Sequence, residues 1–417
     1  MLKMKQMNRT YTSLFVAVYL LLLCAQTSGQ GTWTQKANFG GNVKQQAVGF
    51  SIGNYGYLGL GYEAFGYATD FEKYDPATNS WSPIANFPGG ARWASVGFSI
   101  GNYGYVSTGF RSSPGTFYSD LWQYDPSTDT WTAKAAFPGA GRWYGVGFSI
   151  GNKGYVGLGY SSLTGTFYSD IWEYDPVSDT WTAKAGFPGT RSFATSFTIG
   201  NKAYVVGGAS LTGNCTNDVW EFDPAANTWT LKAPYPGTPC DRMVGFSINN
   251  AGYAGTGKAT ANGMVTTDFY QYDPVTDTWT PVTFFAGSAR TFAVGFSIGN
   301  KGYLGTGNTN CPSPGCDLKD LWEYAPASVG ISDEVNNHAI HFYPNPFATT
   351  TVLLTDEPLH NATLIVENCF GQTVTEIKNI NGNTVIFNRD NLADGLYFFR
   401  LIEENQIIAT DKLLIAE

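Results

Sequence analysis

The stretch WTAKAAFPGAGRWYGVGFSIGNKGYVGLGYSSLTGTFYSDIWEYDPVSDT, residues 131–180, decides the fold, because near copies of it fill most of the chain. Its leading tryptophan recurs as Trp33, Trp81, Trp131, Trp181, Trp229 and Trp279, 48 to 50 residues apart. A period of that length marks one supersecondary unit stacked many times. Within the unit, GVGFSI and GYVGLGY read as short strands joined by GNK, a tight hairpin turn. A loop of variable length leads to DIWEYDP, a third strand with Trp172 and Tyr174 on one face and Ile171 and Glu173 on the other. After the VSDT turn, TWTAKAGF makes the fourth. Each unit is a four-stranded antiparallel meander.

A lone sheet of this kind cannot cover both faces, so copies must pack face to face over the Trp, Tyr and Phe ladder. Radial closure leaves no long exposed edge. The Gly-rich second strand (VVGG at 205–208; GLG, STG or GTG elsewhere), the YDP turn and the following tryptophan resemble the kelch family over roughly residues 31–330. The resemblance implies an all-β fold, a six-bladed kelch-type β-propeller. The last unit ends at DLWEYAP (320–326) with no tryptophan strand after it, while TWTQKANF (32–39) has no third strand before it. The N-terminal strand is therefore expected to complete the sixth blade and latch the ring.

With 417 residues, 43% of them hydrophobic, 16% aromatic and 14% charged, the chain suits a large aromatic β-core plus a second domain. Residues 1–29, with Lys3, Lys5 and Arg9 before LFVAVYLLLLCA, read as a secretory signal peptide cleaved near Gly29. Leu23 stands where lipidation of Cys24 would need a small residue. Residues 30–326 form the propeller and 327–337 a linker. Residues 338–417 alternate like a small Ig-like β-sandwich. In it YPNPF (Tyr343, Pro344, Asn345, Pro346), GLYFFRL (Gly395, Tyr397) and the terminal KLLI (Lys412) resemble the type A C-terminal sorting domain of the type IX secretion system of Bacteroidetes-type bacteria. That resemblance implies export, handling by the secretion machinery, and release or attachment at the outer cell surface.

Export favours disulfides. Cys311 and Cys316 share one loop, and Cys215 and Cys240 lie in loops on the same face, which makes both pairs candidates. Cys369 is left over. A net charge of −9 argues against nucleic acid, and no transmembrane span is expected in the mature chain.

Strand directions place the GNxG hairpins and DPxTDT turns on one face, and the long loops and the lead-ins to the inner strands on the other. A site is expected on the variable face. Aligned lead-ins bring Lys44, Arg92, Arg142, Arg191, Cys240 and Arg290 to one position, read either as structural guanidiniums or as a cationic collar for a carboxylate or sulfate. Trp93 and Trp143 directly follow collar arginines and suit sugar faces or an exposed peptide. Tyr62, Phe65, Tyr67, Phe110, Arg111, Phe117, Tyr118, Tyr160, Phe167 and Tyr168 extend the aromatic patch over blades one to three. The Asp before each third strand (Asp70, Asp120, Asp170, Asp218, Asp268, Asp320) is expected to cap loop amides, and the Asp of each DP turn to form the turn. No metal or other cofactor is expected.

All three histidines (His338, His341, His360) lie in the C-terminal domain, which removes the commonest general base and metal ligand from the propeller. The leading expectation is a secreted or cell-surface binding module for glycan or protein, without catalysis. Glu63, Asp241 and Arg242 sustain an alternative, a sugar isomerase resembling sialic-acid mutarotase. A purely structural or adhesive protein is the third reading.

Overall fold

The computed structural model describes residues 31–63, 66–210, 214–238, 240–259, 263–310, 315–327, 340–368, 372–403 and 406–416. Residues 1–29, where a signal peptide is expected, Phe65, Cys311, Cys369 and most of the expected linker lie outside them. The chain divides into two units between Ala327 and Ser328.

The first unit is six four-stranded antiparallel sheets. Blade three shows the pattern: Val146–Ile150, Lys153–Gly157, Ile171–Asp175 and Thr180–Lys184 pair in sequence order from the axis outward. Blades one, two, four, five and six begin with the inner strands Val48–Ile52, Val96–Ile100, Thr195–Ile199, Val244–Ile248 and Val294–Ile298. In each inner strand the first, third and fifth residues are buried, while the second and fourth face the central channel.

Sheet stacks on sheet through one recurring contact. The inner-strand Phe of each blade lies against the backbone of the next blade's second strand, where a glycine leaves room: Phe50 on Gly104, Phe98 on Gly154, Phe197 on Gly252 and Phe246 on Gly302. A methyl added at any of these glycines would strike the ring. Blade four carries Ala203 there, fully buried in the cluster that holds Phe148. Phe296 of blade six on Gly56 of blade one completes the circle.

The sixth blade is closed as expected. Thr32–Lys36 pairs antiparallel with Leu321–Ala325, with Trp33 opposite Tyr324, in a sheet otherwise made of the last three strands of the propeller.

The recurring tryptophans do not form the deep core. Trp33 is buried, but Trp81, Trp131, Trp181, Trp229 and Trp279 are half-buried. Each donates its indole N–H to the preceding blade: Trp81 to Ala37 O, Trp131 to Ala85 O, Trp181 to Ala135 O, Trp229 to Ala185 O, Trp279 to Ala233 O and Trp33 to Thr283 O, all at 2.8–3.0 Å. The Asx two residues before the tryptophan completes the stitch. Asp129 Oδ1, for example, accepts the Ala85 N–H of blade one and the Tyr124 hydroxyl of its own blade. At the closing joint Gly31 holds this left-handed position (φ 72°), and its carbonyl accepts the Thr283 hydroxyl at 2.7 Å.

The Asp before the third strand is corrected from amide cap to ion-pair partner. Arg92, Arg142 and Arg290 are 0–1% exposed and grip Asp120, Asp170 and Asp320 through both terminal nitrogens. Arg191 reaches Asp218 at 2.7 Å, and Lys44 reaches Asp70 at 2.7 Å and Glu63 at 3.1 Å. Each cation also lies over the phenylalanine four or five residues before it in the chain, Phe39, Phe87, Phe137, Phe187 or Phe285. Burial alone would raise Asp320, but Arg290 brings it below its ordinary 3.8.

The carboxylates with displaced pKa values give the fold a signed pH dependence. Among the described carboxylates Asp125, Asp175, Asp179, Asp223, Asp273, Asp277, Asp320 and Glu323 are held below their ordinary values, and Glu72 and Asp241 above. A depressed carboxylate contributes stability that is present above its unfolded pKa and lost as pH falls through its folded one. The raised pair acts oppositely but is outnumbered. Thermal midpoints measured from pH 6 to pH 3 should fall progressively below the ordinary 3.8 of Asp320 and 4.5 of Glu323. A midpoint that rises on acidification would contradict the assignment.

The second unit has five strands, Ile340–Tyr343, Thr350–Glu367, Thr373–Asn388, Gly395–Glu403 and Gln406–Ile415. The two longest shift register between Leu354 and Leu364, which bends them around Leu353, Leu364, Val366, Phe387, Phe399 and Leu401. Asn345 of the YPNPF run ties the unit's two ends together. Its Nδ2 donates to Lys412 O and its Oδ1 accepts the Leu414 N–H, each at 2.8 Å. Tyr397 donates to Ala393 O at 3.0 Å, while Tyr343 is 76% exposed.

Candidate binding face at the channel mouth

In every blade the residue two places after the clamp position takes a left-handed backbone conformation: Gln46, Ala94, Tyr144, Phe193, Arg242 and Phe292, with φ between 52° and 58°. Such φ values are uncommon outside glycine. They are held here by a chain of backbone hydrogen bonds running from blade to blade: Gln46 N–H to Phe292 O, Ala94 to Gln46, Tyr144 to Ala94, Phe193 to Tyr144 and Arg242 to Phe193, at 2.9–3.1 Å. This turn carries the six side chains to the propeller axis. They line a cavity of about 160 Å³ whose floor includes Ser95, Gly145 and Met243.

The expected cationic collar is therefore displaced. Lys44, Arg92, Arg142, Arg191 and Arg290 do not line the axial cavity. They are buried one layer out, with their charge spent on aspartates, because a guanidinium withdrawn from water needs a fixed partner. Arg242 is the cation at the mouth. Its guanidinium lies between the Phe193 and Phe292 rings, 4.4 and 4.7 Å from their centroids, and donates to Asp241 at 2.8 Å. Asp241 is 2% exposed; burial raises its carboxyl, against the pull of Arg242 and Lys258. Tyr144 packs on Phe193 with centroids 3.9 Å apart and rings tilted by 34°, and its hydroxyl meets the Gln46 amide oxygen. Alignment five residues before the GF glycine found the clamp; alignment three residues before it would have found this ring.

The aromatic patch joins this ring without a break. Tyr62 and Tyr67 pack on Trp93, Trp93 on Trp143, and Trp143 on Phe110, Phe117 and Tyr144. Both indole nitrogens are buried without an acceptor among the described residues. Two-residue strands hold these side chains, Phe110–Arg111 against Thr116–Phe117 and Tyr160–Ser161 against Thr166–Phe167. Tyr118 and Tyr168 belong to the clamps instead, lying over Arg92 and Arg142 at 3.5 and 3.9 Å. Arg111 is exposed at the edge of the patch. Glu63 is held in blade one by Lys44 and by the Asn42 amide, whereas Asp241 sits in blade five.

Cys316 is disulfide-bonded. Cys215 Sγ lies 3.7 Å from Lys258 O, and Cys240 is 1% exposed. No group of three or more His, Cys, Asp or Glu side chains among the described residues could hold a metal ion.

Residues 149–307 match the KLHDC2/KLHL20/DRC7 Kelch-repeats domain, and residues 341–416 the Secretion system C-terminal sorting domain. No curated protein matches the chain. Among solved structures, that of YjhT shares the fold at 19% identity and a TM-score of 0.59, over 69% of this chain and 95% of that one. The sorting domain indicates secretion and attachment to the outer cell surface. Residues 149–307 thus carry kelch repeats within the six-bladed propeller, and residues 341–416 a type IX secretion sorting domain.

Proposed function

We propose that this surface propeller is a non-enzymatic binding module for an extracellular glycan, recognised on the long-loop face. The observation that carries the reading is the continuous aromatic run from Tyr62 through Trp93 and Trp143 to Tyr144 and the axial cavity. Half-buried rings offer flat apolar area to the faces of pyranose rings at little conformational cost. Gln46 and Arg242, which line the cavity, supply polar partners at the inner end of the shelf.

A glycan array probed with the secreted chain, followed by calorimetric titration of the best ligand, tests this. Trp93→Ala with Trp143→Ala should weaken binding by roughly two orders of magnitude, since each removes a central aromatic contact. Both indoles also pack internally, so Tyr62→Ala with Tyr160→Ala provides a second pair; each residue is already partly exposed. Affinity unchanged by both pairs would move the site off the shelf. An array with no retained glycan, alongside capture of a protein ligand lost in the same variants, would make the partner a protein. Retention of neither would favour a structural surface protein.

Asp241 favours one enzymatic alternative, a carbohydrate mutarotase or epimerase, because a buried carboxyl with raised pKa, hydrogen-bonded to the Arg242 that lines the cavity, is suited to proton transfer. Exchange NMR on acidic sugars separates the two readings. A binding module leaves the anomer exchange rate at its uncatalysed value.

A further inference from the structure

Blade five departs from the clamp. Where the other blades place lysine or arginine over an aromatic ring and against an aspartate, it has Cys240 between Tyr235 and Asp268. Among the described residues no lysine or arginine pairs with Asp268, whose Oδ1 is buried without a hydrogen-bond partner; the Tyr235 hydroxyl and Cys240 lie beside it instead. The lead-in at this blade therefore lacks the ion pair that anchors the others.

A second cysteine lies across the blade junction. Gly208 of blade four donates its N–H to Cys240 O and accepts the N–H of Thr216, the residue after Cys215. A methyl placed on neighbouring Gly207 would meet Cys240 O at 2.9 Å and Thr216 O at 3.4 Å, so the two segments flank one point. Cys215 Sγ is 3.7 Å from Lys258 O, and Ala259, the next residue, is the cross-strand partner of Cys240. Cys215 is also close enough to help raise the Cys240 thiol.

We propose that Cys215 and Cys240 form a disulfide in the exported protein, tying the blade-four loop to the lead-in of blade five in place of the missing ion pair. The reaction is thiol–disulfide exchange. Cys215, partly exposed, attacks a small-molecule or protein disulfide and releases one thiol; Cys240 displaces the second thiol from the mixed disulfide. One S–S bond breaks in the oxidant, one forms in the chain, and two protons and two electrons pass to the leaving thiols. Burial and Asp268 push the Cys240 thiol up to about 12 in the closed blade, so the bond forms before blade five packs.

The test uses the full secreted chain purified without reductant, denatured, alkylated and mapped by mass spectrometry. Cys215 and Cys240 should be labelled roughly tenfold less than in a parallel reduced sample, and a peptide joining them should be found. In Cys215→Ser the label should appear on Cys240, and reductant should lower the thermal midpoint less than in the parent. Should this variant fail to accumulate, Cys240→Ser with Cys215 scored for label answers the same question. Full labelling of both cysteines in the unreduced parent overturns the proposal, as does a linked peptide that pairs either with another cysteine.

Discussion

A chain lacking residues 31–39 loses cooperative folding of its propeller, whereas one beginning at Gln30 melts in a single transition. The short N-terminal strand is the outer strand of the blade made by the chain's last repeat, so its removal leaves Leu321–Ala325 as an unpaired edge. It also strips Trp33, which is 9% exposed and meets Phe269, Phe285 and Tyr324 within 5.2 Å. Truncating a tryptophan so placed costs about 3–5 kcal/mol. Trp33→Ala alone should therefore lower the melting temperature by roughly 6–10 °C, at a few degrees per kcal/mol for a domain of this size. Trp131→Ala, the same change at a half-buried copy, should cost less. Calorimetry of the three proteins decides the matter: a truncated chain melting within 2 °C of the parent would show that the ring does not depend on this closure.

The second large effect is at the clamps. Arg142→Ala leaves Asp170 ionised beside a hole where a guanidinium gave it two hydrogen bonds. Removing one partner of a buried pair costs about 3–5 kcal/mol. The lower end applies because the Asp170 side chain keeps 35% exposure and can recruit water. Urea denaturation should place the loss near 3 kcal/mol, with Asp170→Ala at least as costly, since it strands a cation that is 1% exposed. The double variant should recover part of the sum. Additive losses would mean that the two side chains stabilise the blade independently, and the clamp would be abandoned. Arg290 and Asp320 provide an independent replicate in another blade.

Much of this architecture was legible in the sequence because it is repeated. Six copies of one pattern report strand order, hairpin turns and the face on which loops vary, and the incomplete first and last copies report how the ring closes. What repetition conceals is which conserved-looking position serves which partner. The Asp before the third strand recurs without stating that it receives a guanidinium from its own blade, and Asp129 or Asn227 recur without stating that they accept an amide from the neighbouring one. Those contacts cross 28 or more than 40 residues and exist only after stacking. The mouth was misplaced for a related reason. Arginine is the conspicuous residue in the lead-in, whereas Gln46, Ala94, Tyr144, Phe193, Arg242 and Phe292 share no chemistry, and their common backbone geometry is invisible in a string of letters. The aromatic patch was legible because its members are large and fall outside the repeat's own requirements.

That lack of common chemistry has a use. Six consecutive blades present one side chain each from the same backbone slot, and the hydrogen bonds that hold the slot come from main-chain atoms alone. Amide, methyl, phenol, phenyl and guanidinium all occupy it without altering the frame, so the chemistry at the axis is decoupled from the stability of the ring around it. Exchanging these six letters, while avoiding β-branched residues that resist such φ values, would change the lining of the pore end and leave the scaffold and its stitching untouched.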